Sequence, residues 1–182
     1  TLVEKAVTGT DGKCVFVSDL PLGQYYVKEI EEPKGYVLNE EIFALDASYQ
    51  GDDVKVIELE ATFANYPTKL EISKTDITGE YELKGATLSI IDKDGNVVET
   101  WKSDGETHYI ERIPVGEYIL REEAAPYGYK IANEVKFTVE NTKVIQKVSM
   151  KDELVSGKII IEKTDEVTGK GIAGVEFEIR DK

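Results

Sequence analysis

The sequence predicts an all-β protein, a β-sandwich, on three observations. Apolar and polar residues alternate over short segments, turn chemistry separates those segments, and no stretch keeps a helical apolar period.

Leu70–Lys74 opens the first complete set of strands, with Leu70, Ile72 and Lys74 on one face. Ala86–Ile91 and Val97–Trp101 follow, separated by the turn residues Asp94-Gly95-Asn96. Ser103-Asp104-Gly105 leads into His108–Arg112, and Pro114-Val115-Gly116 into Glu117–Glu122. Val135–Val139 and Val144–Met150 complete the set, with a turn at Glu140-Asn141-Thr142 between them.

Internal repeats set the domain boundaries. Lys69–Lys93 aligns without a gap to Lys158–Lys182, so Ile72, Lys74, Thr75, Asp76, Gly85 and Ile90 recur as Ile161, Lys163, Thr164, Asp165, Gly174 and Ile179. Thr1–Tyr36 aligns without a gap to Asp94–Tyr129, matching Pro21, Gly23, Tyr25, Glu29, Pro33 and Gly35 to Pro114, Gly116, Tyr118, Glu122, Pro126 and Gly128. One repeat is whole, residues 67–155. Residues 1–66 correspond to a domain without its first two strands, and residues 156–182 to those two strands. Read as 158–182 followed by 1–66, the outer pieces make a second complete domain.

Each stripe of the whole repeat ends in an ionisable residue. Leu70 and Ile72 lead to Lys74, Tyr118 and Leu120 to Glu122, and Val148 and Met150 to Asp152. The outer pieces repeat the pattern with an amide at one corner: Tyr25 and Val27 lead to Glu29, Phe63 to Asn65, and Ile161 to Lys163. A lysine is rarely buried unless paired. Strand-end lysines often snorkel to water instead. Desolvation favours the uncharged form of any ionisable group, and an uncharged lysine is a nucleophile. Attack on the side-chain carbonyl of Asp152 or Asn65, with a Glu moving protons, yields an amide and releases water from Asp or ammonia from Asn. Glu153 and Asn141 lie near Asp152 as rival acceptors, and Glu123 lies beside Glu122.

Composition excludes other chemistry. The net charge of −14, from 36 acidic and 22 basic residues, lacks the basic footprint of a nucleic-acid or anionic-membrane binder. One cysteine (Cys14), one methionine (Met150) and one histidine (His108) build neither a disulfide framework nor a zinc site. No nucleophile motif surrounds Cys14 or His108, and low Cys and Met usage fits an extracellular protein. Asp76, Asp92 and Asp94 lack the spacing of a calcium loop, so neither metal nor other cofactor is expected. No signal peptide, transmembrane run or anchor motif is read in these residues. Trp101 and the ten tyrosines suit either a sugar platform or core and edge packing.

Several motifs carry a family resemblance: Glu71-Ile72-Ser73-Lys74-Thr75-Asp76, Gly85-Ala86-Thr87-Leu88, Pro114-Val115-Gly116-Glu117-Tyr118 and Glu122-Glu123-Ala124-Ala125-Pro126-Tyr127-Gly128-Tyr129. The last recurs as Glu29-Ile30-Glu31-Glu32-Pro33-Lys34-Gly35-Tyr36. The chain resembles tandem CnaB-type, SpaA-like domains of Gram-positive surface adhesins and pilins. The resemblance implies a prealbumin-like, inverse immunoglobulin-type sandwich. It also implies a self-formed isopeptide between a first-strand Lys and a last-strand Asn or Asp, assisted by a Glu. By position those residues are Lys74, Glu122 and Asp152, and in the outer pieces Lys163, Glu29 and Asn65. Asp152 departs from the Asn of many members. The expected role is a structural stalk on the cell wall, with no enzymatic turnover. The expected partners are neighbouring domains and, by strand complementation, further copies head to tail. An adhesive module binding host matrix protein or glycan is the alternative, and a transthyretin-like small-ligand carrier a third.

Overall fold

The structure, a computed structural model, describes residues 1–181, and none of these is helical. The repeat counterpart of Lys93, Lys182, lies outside the described residues. Nine strands form in the order β1 (Gly23–Lys28), β2 (Ile42–Ala47), β3 (Lys69–Asp76), β4 (Lys84–Asp92), β5 (Val97–Asp104), β6 (His108–Glu111), β7 (Gly116–Ala124), β8 (Val135–Val139) and β9 (Gln146–Asp152).

The seven strands β3 to β9 make two facing sheets, one ordered β6-β3-β9 and the other β5-β4-β7-β8. Leu70, Ile72, Ile110 and Met150 come from the first. They pack against Leu88, Ile90, Tyr118, Leu120 and Val139 of the second, and Trp101 covers one flank. The alternation read in the sequence is thus the alternation between core and solvent. β3 and β9 run parallel, from Leu70 opposite Gln146 to Asp76 opposite Asp152. All other ladders are antiparallel. A parallel pair of first and last strands means that the chain enters this sandwich at one end and leaves at the other.

Of the seven strands read in the sequence only β8 keeps both ends; most run up to three residues further, and β6 and β9 are each cut back at one end. β6 stops at Glu111 because Arg112 takes a left-handed conformation, with φ 62°. β9 begins at Gln146 rather than Val144 and runs to Asp152; Val144 and Ile145 lie exposed in the preceding turn.

In the outer pieces, β1 and β2 form a two-stranded antiparallel sheet, while residues 156–181 form no ladder. The latter keep the local turn of their repeat. Asp165 Oδ1 accepts the Thr168 N–H at 2.7 Å, and Ile172 N–H donates to Lys163 O at 2.8 Å. The same places in the whole repeat hold the Asp76 turn and the bond from Leu83 N–H to Lys74 O at 2.6 Å.

Thr68 joins residues 1–66 to the whole domain. It is fully buried; its N–H donates to Gly35 O at 3.0 Å and its hydroxyl to Ile113 O at 2.5 Å, while its carbonyl accepts the Arg112 N–H at 3.0 Å. Gly35, with φ 82°, is pressed so closely on Arg112 that a Cβ would lie 2.2 Å from the Arg112 carbonyl oxygen. Its repeat counterpart Gly128, with φ 87°, faces open space. Gly128→Ala is therefore expected to cost only the left-handed backbone penalty, about 1–2 kcal/mol. Gly35→Ala should cost more and speed hydrogen exchange at the Thr68 and Arg112 amides. Equal effects of the two substitutions on exchange there would refute the close-contact account.

Candidate functional site

The three stripe-ending residues of the whole repeat meet in the core. Lys74 at the end of β3 is 2% exposed, Glu122 near the end of β7 is 5%, and Asp152 at the end of β9 is 1%. Lys74 Nζ hydrogen-bonds Asp152 Oδ1, and Glu122 Oε1 lies 2.9 Å from the same nitrogen. The Glu122 contact is an ion pair that is not aligned as a hydrogen bond. Lys74 and Asp152 come from adjacent parallel strands, two residues apart in register, while Glu122 reaches across from the facing sheet. The lysine tip therefore lies between two carboxyl groups inside an apolar sandwich.

The electrostatics do not balance if all three groups ionise, because two anions would share one cation away from water. One proton restores neutrality. Asp152 is the group pushed toward keeping it: burial raises its pKa, the Lys74 ammonium opposes that rise, and Glu122 adds to it. Asp152 Oδ2 has no hydrogen-bond partner among the described residues. Glu122 is held from the other side, where its Oε2 accepts the Ala132 N–H at 2.7 Å.

The sequence reading missed the group that secures the Lys74 backbone. The β3–β6 ladder ends at Ile72 opposite His108. Beyond it, Glu82 Oε2 accepts the Lys74 N–H at 2.8 Å, and Glu82 Oε1 accepts the Thr107 hydroxyl at 3.2 Å. No spacing pattern marks Glu82, which acts from a turn; its repeat counterpart is Gly171.

The second set is partly assembled. Asn65 Nδ2 donates to both Glu29 oxygens, at 2.9 and 2.8 Å, and to Val37 O at 3.0 Å. Glu29 Oε2 accepts the Asn39 N–H at 2.5 Å, as Glu122 accepts that of Ala132. Lys163 is not brought to this pair: it is exposed, and among the described residues its ammonium has no ion-pair partner.

The rival residues lie elsewhere. Glu153 pairs with Lys130 at the surface at 3.1 Å. Asn141 Oδ1 accepts the Leu38 N–H at 2.8 Å, a contact between the first piece and the whole domain. Glu123 is exposed. Trp101 stacks on His108, with centroids 4.2 Å apart and planes at 9°, and His108 Nε2 contacts Glu99 Oε1 at 2.7 Å. Both rings thus stabilise the β5–β6 edge of the sandwich. Cys14 is exposed, and no group of metal-ligating residues occurs among the described residues.

Comparison with known proteins agrees with this architecture. Among solved structures, the Bacillus anthracis TIE protein shares 30% identity over 82% of this chain, with a TM-score of 0.50. The minor pilin GBS52 of Streptococcus agalactiae shares 21% identity over 87% of this chain and 71% of its own, with a TM-score of 0.45. The major pilin subunit BcpA of Bacillus cereus shares 23% over 46% of this chain and 28% of its own, with a TM-score of 0.42. The chain spans 28% of the length of the Bacillus anthracis protein. No curated protein sequence matches it. A family model described as the SpaA prealbumin-like fold domain matches residues 1–61 and again 68–154, so the chain belongs to that family.

Proposed function

We propose that this chain is a segment of the structural stalk of a Gram-positive surface protein, a pilin or adhesin. In this reading each complete domain is locked by an amide between its first and last strands. The observation that carries it is the buried contact of Lys74 with Asp152 and Glu122. Residues 78 apart in sequence meet there, at the ends of the strands by which the chain enters and leaves the domain.

The chemistry follows from the charge balance. Begin with a Lys74 ammonium, an ionised Glu122 and a protonated Asp152. Glu122 takes a proton from Nζ, and the freed amine attacks Cγ of Asp152. The Cγ–Oδ bond breaks, and the hydroxyl leaves as water with a second proton from the nitrogen. An amide and a protonated Glu122 remain. No charge is then left buried, which removes the desolvation penalty of the starting cluster. The reaction occurs once per domain and is not enzymatic turnover.

The mechanical consequence comes from the parallel pairing. Tension applied through the two ends of the domain shears β3 against β9. A covalent link between Lys74 and Asp152 routes that load past everything between them. Unfolding, the route by which force or a protease opens a domain, is then blocked. Membership of the SpaA prealbumin-like family supports a role at the cell surface. The adhesive alternative has less support: Tyr26, Tyr49, Tyr81, Tyr109 and Tyr127 are exposed but lie on separate segments, and of the exposed tyrosines Tyr66 alone lines a described hollow, beside Val37 and Lys143.

Intact mass spectrometry tests the bond. The chain is expected to weigh one water less than its sequence, and Lys74→Ala or Asp152→Ala to restore the full mass. A wild-type mass equal to the sequence would disprove the reading. Under load, the wild-type domain should show no extension step for the residues between 74 and 152, whereas Lys74→Ala should show one.

A pH dependence follows for Lys74→Met, which fills the space without supplying a cation. Asp152 then stays buried beside Glu122 with its pKa raised by burial. A carboxyl whose folded-state pKa is raised contributes stability below its ordinary pKa and loses it as pH rises through the folded value. The variant's melting temperature should therefore fall as pH rises above the ordinary aspartate range. The linked wild type, in which Asp152 is consumed, should lack that fall. A variant that gains stability as pH rises would contradict the assigned burial of Asp152.

A further inference from the structure

We propose that Glu82 is a positioning residue for the Lys74–Asp152 linkage: its carboxylate fixes the Lys74 backbone so that Nζ is held against the Asp152 carboxyl. The linkage itself is the self-linking chemistry proposed above, on which this role rests. The Nζ–Cγ bond forms, the Cγ–Oδ bond breaks, and water leaves with protons from the nitrogen and from Asp152.

The reacting lysine lies beyond the reach of one neighbouring strand. β3 pairs with β9 as far as Asp76 opposite Asp152, but with β6 only as far as Ile72 opposite His108. Lys74 is the next inward-facing residue after Ile72, so no rung of that second ladder supports it. Buried backbone N–H and C=O groups need partners. Two consecutive residues of the following turn supply them. Leu83 N–H donates to Lys74 O at 2.6 Å, and Glu82 Oε2 accepts the Lys74 N–H at 2.8 Å. The first partner is backbone, as in a ladder. The second is a side chain that takes the place of a strand carbonyl. Its other oxygen, Oε1, accepts the hydroxyl of Thr107, the residue before β6, at 3.2 Å. The carboxylate therefore ties β3 to β6 past their last rung.

Glu82 does not act on the ammonium itself. Lys74 Nζ contacts Glu122 and Asp152, and among the described residues no ion pair joins it to Glu82. Nor does the turn need Glu82. In the repeat, Asp165 N–H donates to Lys170 O and Ile172 N–H to Lys163 O, both at 2.8 Å, as Asp76 N–H donates to Tyr81 O at 3.3 Å and Leu83 N–H to Lys74 O. Gly171 holds the place of Glu82 there. The same turn closes without a carboxylate, so what Glu82 adds is its hold on the Lys74 N–H.

That hold bears on the reaction through distance. Nζ hydrogen-bonds Asp152 Oδ1 and must be carried onto Cγ while Glu122 stays close enough to take its proton. Attack starts from reacting atoms about 3–3.5 Å apart, and a misplacement of about 1 Å can cost about a hundredfold in rate. A Lys74 N–H without its acceptor is costly to keep buried, so the strand end shifts to satisfy it and carries the side chain along. β9 holds one edge of β3 and Glu82 the other, and the two together set where the lysine tip lies.

The rate of linkage tests this role. Pulse-labelled chain, denatured at intervals and weighed intact, shows how fast one water is lost. Glu82→Leu keeps the bulk but offers no acceptor, and should slow that loss about ten- to a hundredfold. Glu82→Gln should stay close to the wild-type rate, because its amide oxygen accepts the Lys74 N–H and its NH2 group donates to the Thr107 hydroxyl. The slowing in Glu82→Leu should be one constant factor across neutral pH, since a positioning residue moves no proton. Glu82→Leu linking at the wild-type rate overturns the proposal. So does Glu82→Gln as slow as Glu82→Leu, which would make the charge decisive, and so does an altered pH profile. Where Glu82→Leu does not fold, judged by melting in the Lys74→Ala background, Thr107→Val decides. It removes only the anchor of Oε1 and should slow the loss severalfold, and an unchanged rate overturns the proposal. A wild type at full sequence mass removes the Lys74–Asp152 bond and this role with it. A wild type that loses water no faster than Glu82→Leu removes this role alone.

Discussion

The whole domain depends on how one ammonium is housed among two carboxyl groups in a dry core. An unpaired buried charge is among the costliest features a fold can carry. Here Lys74, Glu122 and Asp152 occupy the last inward positions of three strands, so the apolar layers below them pack undisturbed. Moving any strand by one residue would turn its ionisable group outward and leave the others uncompensated. The cluster therefore constrains register in both sheets at once: β3 against β9 within one sheet, and β7 across the core. Its position between first and last strand also makes it the place where closing the domain and neutralising its charge coincide.

The junction at Thr68 extends that order into the preceding piece. Thr68 hydrogen-bonds the Gly35 turn on one side and the Arg112–Ile113 segment on the other. Arg112 can serve both only by taking a left-handed backbone, which ends β6. Three residues separate Asn65 from Lys69, whereas five separate Asp152 from Lys158, and Ser156-Gly157 lie in the longer stretch. The first connection is thus tied by hydrogen bonds on both sides, while the second carries a flexible dipeptide.

The strands and the site residues were legible because period-two alternation places residues on faces without reference to any neighbour. Leu70, Ile72 and Lys74 had to share a face whatever they packed against, and the same held for Tyr118, Leu120 and Glu122. The repeat alignments then chose Glu122 over Glu123, because Glu29 has its match there and Ile30 does not. What stayed hidden depended on contacts between turns. Glu82 holds the Lys74 amide from a loop, Asn141 reaches Leu38 across the junction, and His108 stacks on Trp101 from a neighbouring hairpin. Each joins residues whose proximity is created by the fold, so no local spacing announces it. The parallel pairing of β3 with β9 was equally invisible, since alternation says nothing of strand direction.

The two sites differ at the acceptor, and the difference fits the state of each. In the whole domain Lys74 is already seated, and two carboxyl groups can lie close because the lysine stands between them. At Glu29 no lysine is seated. A second carboxylate there would repel Glu29 and hold the site apart. Asn65 avoids this: its amide donates to Glu29, so the pair satisfies itself and stays together without a cation.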